Sequence, residues 1–297
     1  MNKPKRKLPS YVIFRTWREI YGWLSDKSDG SEWALRALRY MEVAERKWPT
    51  EGYLKEGTLT EFSGIRFSES DPYSYSEAKR LIRLMMVELK QHPDLKGFIH
   101  NKVEGRGAIT GKKSSGVWDY LRIKGLDKSI AHTKQPHLTL SIGQELSQAF
   151  LLIPNDVEPR FRRTLIELGK DGFFNAIADV NKNMRRVTKG APGSYPYINL
   201  AQRRYPHRNT KAIVDGSMNF DLRTAFEGGK NQKVKLQEQW LSAVYSLISN
   251  KNSNLTLSVG CAFPYQSCSK VHTKKILDSI ALSWIASKPL LDIMLQK

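Results

Sequence analysis

VNKNMRRVTKGAPGSYPYINLAQRRYPHRNTKAIV, residues 180–214, contains no Asp or Glu. It carries Lys182, Arg185, Arg186, Lys189, Arg203, Arg204, Arg208 and Lys211, eight fixed positive charges, interleaved with Tyr195, Tyr197, Tyr205 and His207. A solvated helix face normally mixes signs, so that neighbouring charges partly neutralise one another. An acid-free run repels itself unless a polyanion or a distant acidic surface lies against it. Breaks at Gly190, Pro192, Gly193, Pro196 and Pro206 point to a loop rather than a helix. Apolar anchors at Tyr197, Ile198, Leu200 and Tyr205 set the run apart from a disordered connector. The segment is therefore expected to bind phosphate, with rings that stack on the bases of flexible or single-stranded nucleic acid.

The positive charge extends beyond this run. The chain of 297 residues has a formal net charge of +19 and a pI near 9.8. Residues 1–130 contribute +8 and residues 131–297 contribute +11, so both halves are expected to face a polyanion, DNA or RNA. A hydrophobic share of 40% is that of an ordinary globular chain, which argues against wholesale disorder. Membrane is not expected as a partner, because no stretch approaches the roughly 18 apolar residues of a spanning helix. The basic start Met1–Lys7 leads only into the short run Leu8–Phe14, and Arg15 and Arg18 follow, so a cytoplasmic location is expected. Two cysteines cannot make a disulfide framework. Cys261, Cys268 and His272 form C-x6-C-x3-H, short of the four tightly spaced ligands of a structural zinc site, so buried thiols are expected and no cofactor.

Periodicity divides the chain. Ser10 and Ser31 open two helical patterns, the second stopped by Pro49, and a third runs from Ser76-Glu77 through Leu81, Ile82, Met85, Met86 and Leu89 to Pro93. Residues 101–134 then turn Gly-rich and basic. Gly105 to Ser114 invites comparison with a phosphate-cradling loop but lacks G-x4-G-K-[ST]; Arg106, Lys112 and Lys113 are expected as a second backbone contact in an exposed loop. From His137 the period becomes two: 137–143 and 149–154 predict a hairpin, followed by helices through Phe161 to Leu168 and Phe173 to Met184. After the acid-free run, 212–214 and 218–222 predict strands, 235–250 a helix, 255–260 a strand and 272–295 a closing helix interrupted at Pro289. The expected class is α+β: a helical domain over 1–100, a basic linker or loop over 101–134, and an α/β domain over 135–297 with 180–214 as an insertion.

Leu138-Thr-Leu-Ser-Ile-Gly143 and Leu255-Thr-Leu-Ser-Val-Gly260 differ at one position. A true duplication would give a ferredoxin-like arrangement, a layout shared by some duplicated RNA-processing proteins of CRISPR systems, although none of their motifs is present here. The first copy starts with His137-Leu-Thr139, which resembles the H-x-T motif of the 2H phosphoesterase family, where two such motifs set paired histidines against a phosphodiester. The second position here is Asn254-Leu-Thr256, and Asn cannot exchange a proton. A metal-dependent nuclease needs converging carboxylates, for which Asp215 and Asp221 are the candidates. A turn Asp at 215 and an ion pair between Asp221 and Arg223 are the simpler expectation. The function expected first is non-enzymatic nucleic-acid binding as a subunit of a larger processing or defence complex. A metal-dependent nuclease or phosphodiesterase is the alternative.

Overall fold

The computed structural model describes residues 64–65, 72–100, 109–110, 116–202, 216–226, 235–250 and 254–296. All belong to the second of two compact units, Glu56–Lys297. The helices expected from Ser10 and Ser31 lie outside the described residues, as do Arg106, Lys112, Lys113, the strand at 212–214 and Asp215. The same holds for Arg203, Arg204, Tyr205, His207, Arg208 and Lys211.

Among the described residues, seven strands form one sheet: β1 (Ile109–Thr110), β2 (Val117–Arg122), β3 (His137–Ile142), β4 (Leu146–Ile153), β5 (Tyr195–Gln202), β6 (Ser217–Asp221) and β7 (Leu255–Pro264). Their order is β1-β2-β3-β4-β7-β5-β6, and every neighbouring pair is antiparallel. The described helices are α1 (Pro72–Gln91), α2 (Pro159–Glu167), α3 (Gly169–Gly190), α4 (Leu222–Phe226), α5 (Lys235–Ser249), α6 (Ile276–Ala286) and α7 (Lys288–Leu295). Helices and an antiparallel sheet together make the class α+β.

In β4 the two faces differ in burial, whereas β3 and β7 are buried on both faces almost throughout. Ser147, Ala149, Leu151 and Ile153 of β4 are buried while the residues between them are half-buried. The register aligns Ala149 with Leu140 and Cys261, and Val259 with Leu151 and Ile198, so apolar residues of the central strands share one face. Against that face pack α1 over β2 and β3, α6 over β4 and β7, and α3 over β5 and β7. The anchor is α6. Trp284, fully buried, donates its indole N–H to the Thr139 carbonyl at 3.1 Å, and the Ser283 hydroxyl donates to the Ala149 carbonyl at 2.8 Å.

Both matching hexapeptides are strands of this one sheet. They flank β4 and run in the same direction, but a hairpin partner follows the first, whereas a 3-10 turn and α6 follow the second. The echo is thus one of strand pattern and not of element order.

Two expectations change. Val117–Arg122, inside the stretch expected as linker or loop, pairs with β3 along its whole length, and Asp119 on its helix-facing side is what hides the apolar pattern. The acid-free run is not a loop up to residue 202: α3 continues to Gly190 and β5 starts at Tyr195. The turn between them needs Gly193, whose φ is +86° and where an added Cβ would sit 1.9 Å from the Ser267 carbonyl oxygen. Pro196 is tolerated because β6 pairs with β5 only from Tyr197 onward, which leaves Pro196 with a strand neighbour on one side alone.

Candidate nucleic-acid interface

Helix α3 sorts its residues by turn. Phe173, Ile177, Val180, Met184 and Val187 recur at three- and four-residue steps and are buried. Lys182, Arg185, Arg186 and Lys189 fall at the complementary steps and are exposed. The four expected phosphate-binding residues of the run that are described thus lie on one helix face, across two turns or about 10 Å of axis. No acid occurs between Val180 and Gly190. Among the described residues, Lys182, Arg186 and Lys189 have no ion-pair partner. Cations near a helix C-terminus do offset the negative end of the macrodipole, but that end amounts to only about half a charge. Four fixed charges exceed it several-fold.

The face continues at both ends of the β5 connection. Lys270, whose Nζ lies 3.8 Å from where a Gly190 side chain would begin, extends it toward the 3-10 turn Ser269–His272. Beyond Tyr195, Arg223 stands with its guanidinium 5.6 Å from the ring centroid. Asp221 orients this arginine: Nη2 reaches Oδ2 at 2.7 Å and Nε reaches Oδ1 at 3.1 Å. The Arg223 backbone N–H also donates to Asp221 Oδ1 at 2.9 Å. Burial pushes the half-buried Tyr195 phenol upward, with the Asp221 carboxylate adding to it, so the ring stays neutral.

Between α3, β5 and α4 opens a cleft of about 470 Å³, lined by Asn181, Arg185, Thr188, Pro196 and Arg223. Asn181 sits beside the apolar stripe of α3, is 2% exposed, and its Oδ1 has no hydrogen-bond partner. Sequence reasoning missed Asn181, Thr188, Lys270 and the place of Arg223. The signal for Asn181 was one amide among Ile177, Val180, Met184 and Val187.

The other candidates fall elsewhere. Tyr197, expected at the interface, is fully buried on β5 with its ring edge-on to Phe150 at 6.3 Å, so it presents no surface to a partner. Tyr-Pro-Tyr reads as loop because of its proline, and a loop would leave both rings outside, whereas here it begins β5. Asp221 is committed to Arg223, and a divalent ion there would have to compete with that pair. Cys261 faces the helices with its thiol pushed up to about 12 by burial, and Cys268 is buried as well. His272 is exposed, 3.3 Å from the Tyr265 carbonyl. Among the described residues no three His, Cys, Asp or Glu are placed to hold a metal ion.

His137 lies on the face opposite the helices, 2% exposed, edge-on to Tyr120 at 5.1 Å and to His132 at 5.5 Å. Its Nδ1 pairs with the Gln135 carbonyl at 3.0 Å, while Nε2 and the Thr139 hydroxyl have no partner. The matching Asn254 accepts from the Asn155 amide at 2.9 Å, a structural bond rather than half of a catalytic pair. Burial lowers the His137 pKa from 6.5 to about 4, so the ring is neutral. Since the folded value lies below the unfolded one, the stability of this neutral ring is complete above about pH 6.5 and is lost as pH falls toward 4. Relative to His137→Phe, the wild type is expected to lose about 3 kcal/mol over that window. Urea unfolding at several pH values checks it, and parallel pH profiles would refute the assignment.

Comparison with known protein families and with curated proteins finds no match to this chain. Among the described residues no helix is long and apolar enough to cross a membrane.

Proposed function

We propose that this protein binds the phosphate backbone of nucleic acid through the exposed face of α3, in the cytoplasm and within a complex whose other subunits supply any catalysis. The observation that carries this reading is the set Lys182, Arg185, Arg186 and Lys189 on a single helix face, with no acid in the same three turns. Each contact of a fixed cation with a phosphate releases condensed counterion, so affinity depends on salt. Arg223, paired with Asp221, shares a cleft with Arg185 of this face, and the half-buried Tyr195 ring beneath its guanidinium favours a strand that can bend and unstack over a rigid duplex.

The test is fluorescence anisotropy with a single-stranded oligonucleotide and with its duplex, at several salt concentrations. Four contacts give a slope of log affinity against log salt near −3, and the single strand is expected to bind more tightly. A slope near zero on both would end this reading.

A further inference from the structure

We infer that the sheet face opposite α1, α3 and α6 is a stacking platform for the bases of a bound single strand, with Tyr195, Phe150 and Trp118 as its rings. This deepens the backbone-binding reading and rests on it. Register is the first argument. Trp118, Ser141, Gln148, Ala262 and Tyr195 form one row across β2, β3, β4, β7 and β5, and Phe150 stands in the next row between Thr139 and Gly260. Their side chains point away from the face on which α1, α3 and α6 pack. Rings thus rise from every second strand, at steps of about 10 Å. Trp118, Phe150 and Tyr195 are each half-buried, so part of every ring is open to a partner.

Composition is the second argument. The helix-covered face is lined by Leu138, Leu140, Leu151, Ile198 and Val259, the aliphatic surface that a packed core requires. On the opposite face the positions between the rings are Thr139, Ser141, Gly260 and Ala262, which are too short to hide the ring faces beside them. From β2 to β5 the three rows that begin at Trp118, Tyr120 and Arg122 hold no Asp or Glu. An acid there would repel phosphate. A surface without acids, with rings at its high points, suits a polyanion that presents bases, since every base offers a π-face to stack.

Continuity with the basic face is the third argument. β6 pairs with β5 only from Tyr197 onward, so Tyr195 has no partner from β6 beside it. Arg223 stands there instead, its guanidinium 5.6 Å from the Tyr195 ring centroid, and it also lines the cleft that contains Arg185 of α3. Paired with Asp221, Arg223 lies between the track along α3 and the first ring of the platform. A strand held on α3 can therefore turn over the edge of β5 onto Tyr195. From Tyr195 to Trp118 is four strand steps, about 19 Å.

The test compares oligothymidylate of about 12 nucleotides with the same strand made abasic along its central half, all phosphates kept, by anisotropy at several salt concentrations. Wild type is expected to hold the strand with bases on the order of a hundredfold more tightly, about fivefold or more for each of three rings. Trp118→Leu and Phe150→Leu keep apolar volume but remove the π-face, and each should cut that advantage by about fivefold or more. Both variants should bind the abasic strand as wild type does and with the same salt slope, because the phosphate contacts are untouched, and this also shows that they are folded. Phe150→Tyr, which keeps a ring, should retain the advantage. Equal affinity of wild type for the two strands overturns the platform, and that comparison needs no variant. An advantage that both Leu variants keep in full overturns it as well, since stacking would then stop at Tyr195. If salt-dependent binding persists in either case, only this inference falls. If wild type binds neither strand, the backbone reading falls with it.

Discussion

Changing Lys182, Arg185, Arg186 and Lys189 together to Ala is expected to flatten the salt dependence of nucleic-acid binding by about 3 units on single strands, at roughly 0.7 unit per phosphate contact. Between 50 and 200 mM salt such a slope amounts to about a 50-fold fall in affinity, which the variant should not show. The side chains stand on the exposed face of α3, away from Phe173, Ile177, Val180, Met184 and Val187, so the melting temperature should hardly move. Arg185 also has an intramolecular contact, and a small change can be expected from it alone. Parallel salt plots for wild type and variant would show that this face carries charge without touching the partner. The same measurement separates charge from stacking: Tyr195→Ala should weaken single-strand binding by about 1–3 kcal/mol with the slope intact, if its ring stacks on a base.

Trp284→Ala is expected to lower the unfolding free energy by about 3–5 kcal/mol, the range for removing a fully buried large aromatic. The indole also donates to the Thr139 carbonyl, and its loss leaves that acceptor on a central strand without this donor. For a unit of this size the change corresponds to a fall of roughly 6–20 °C in melting temperature. Trp284→Phe keeps most of the volume and should lose far less. An Ala variant that unfolds with wild-type stability would mean that α6 does not anchor the sheet.

Strands β3 and β7 could be read from sequence because apolar residues alternate with Thr and Ser along both, although both of their faces are buried, β4 because of its apolar run from Ala149 to Ile153, and α1 and α5 because their apolar residues recur at helical steps. The missed elements share one cause, a residue that breaks the expected pattern for a local reason. Asp119 faces the helix side of β2, and Pro196 sits inside β5 at a strand start. In α3 the charges at 182, 185, 186 and 189 are spaced as one face of a helix, a periodicity that the Gly and Pro breaks after it mask, and the helix runs to Gly190. The cleft was the least legible part. Its five lining residues come from three elements distant in sequence, Asn181 to Thr188, Pro196 and Arg223, and only the packing of α3 beside β5 and α4 brings them together.

The basic face of α3 belongs to a helix whose other side is seated in the core, and this sets how binding should proceed. A flexible arginine-rich arm must order itself as it engages a partner, which lowers affinity and appears as gained helix in circular dichroism. Here the charges are held in place beforehand. Binding should leave the far-ultraviolet spectrum unchanged, and association should be limited by electrostatically steered encounter, with an on-rate that falls steeply as salt rises.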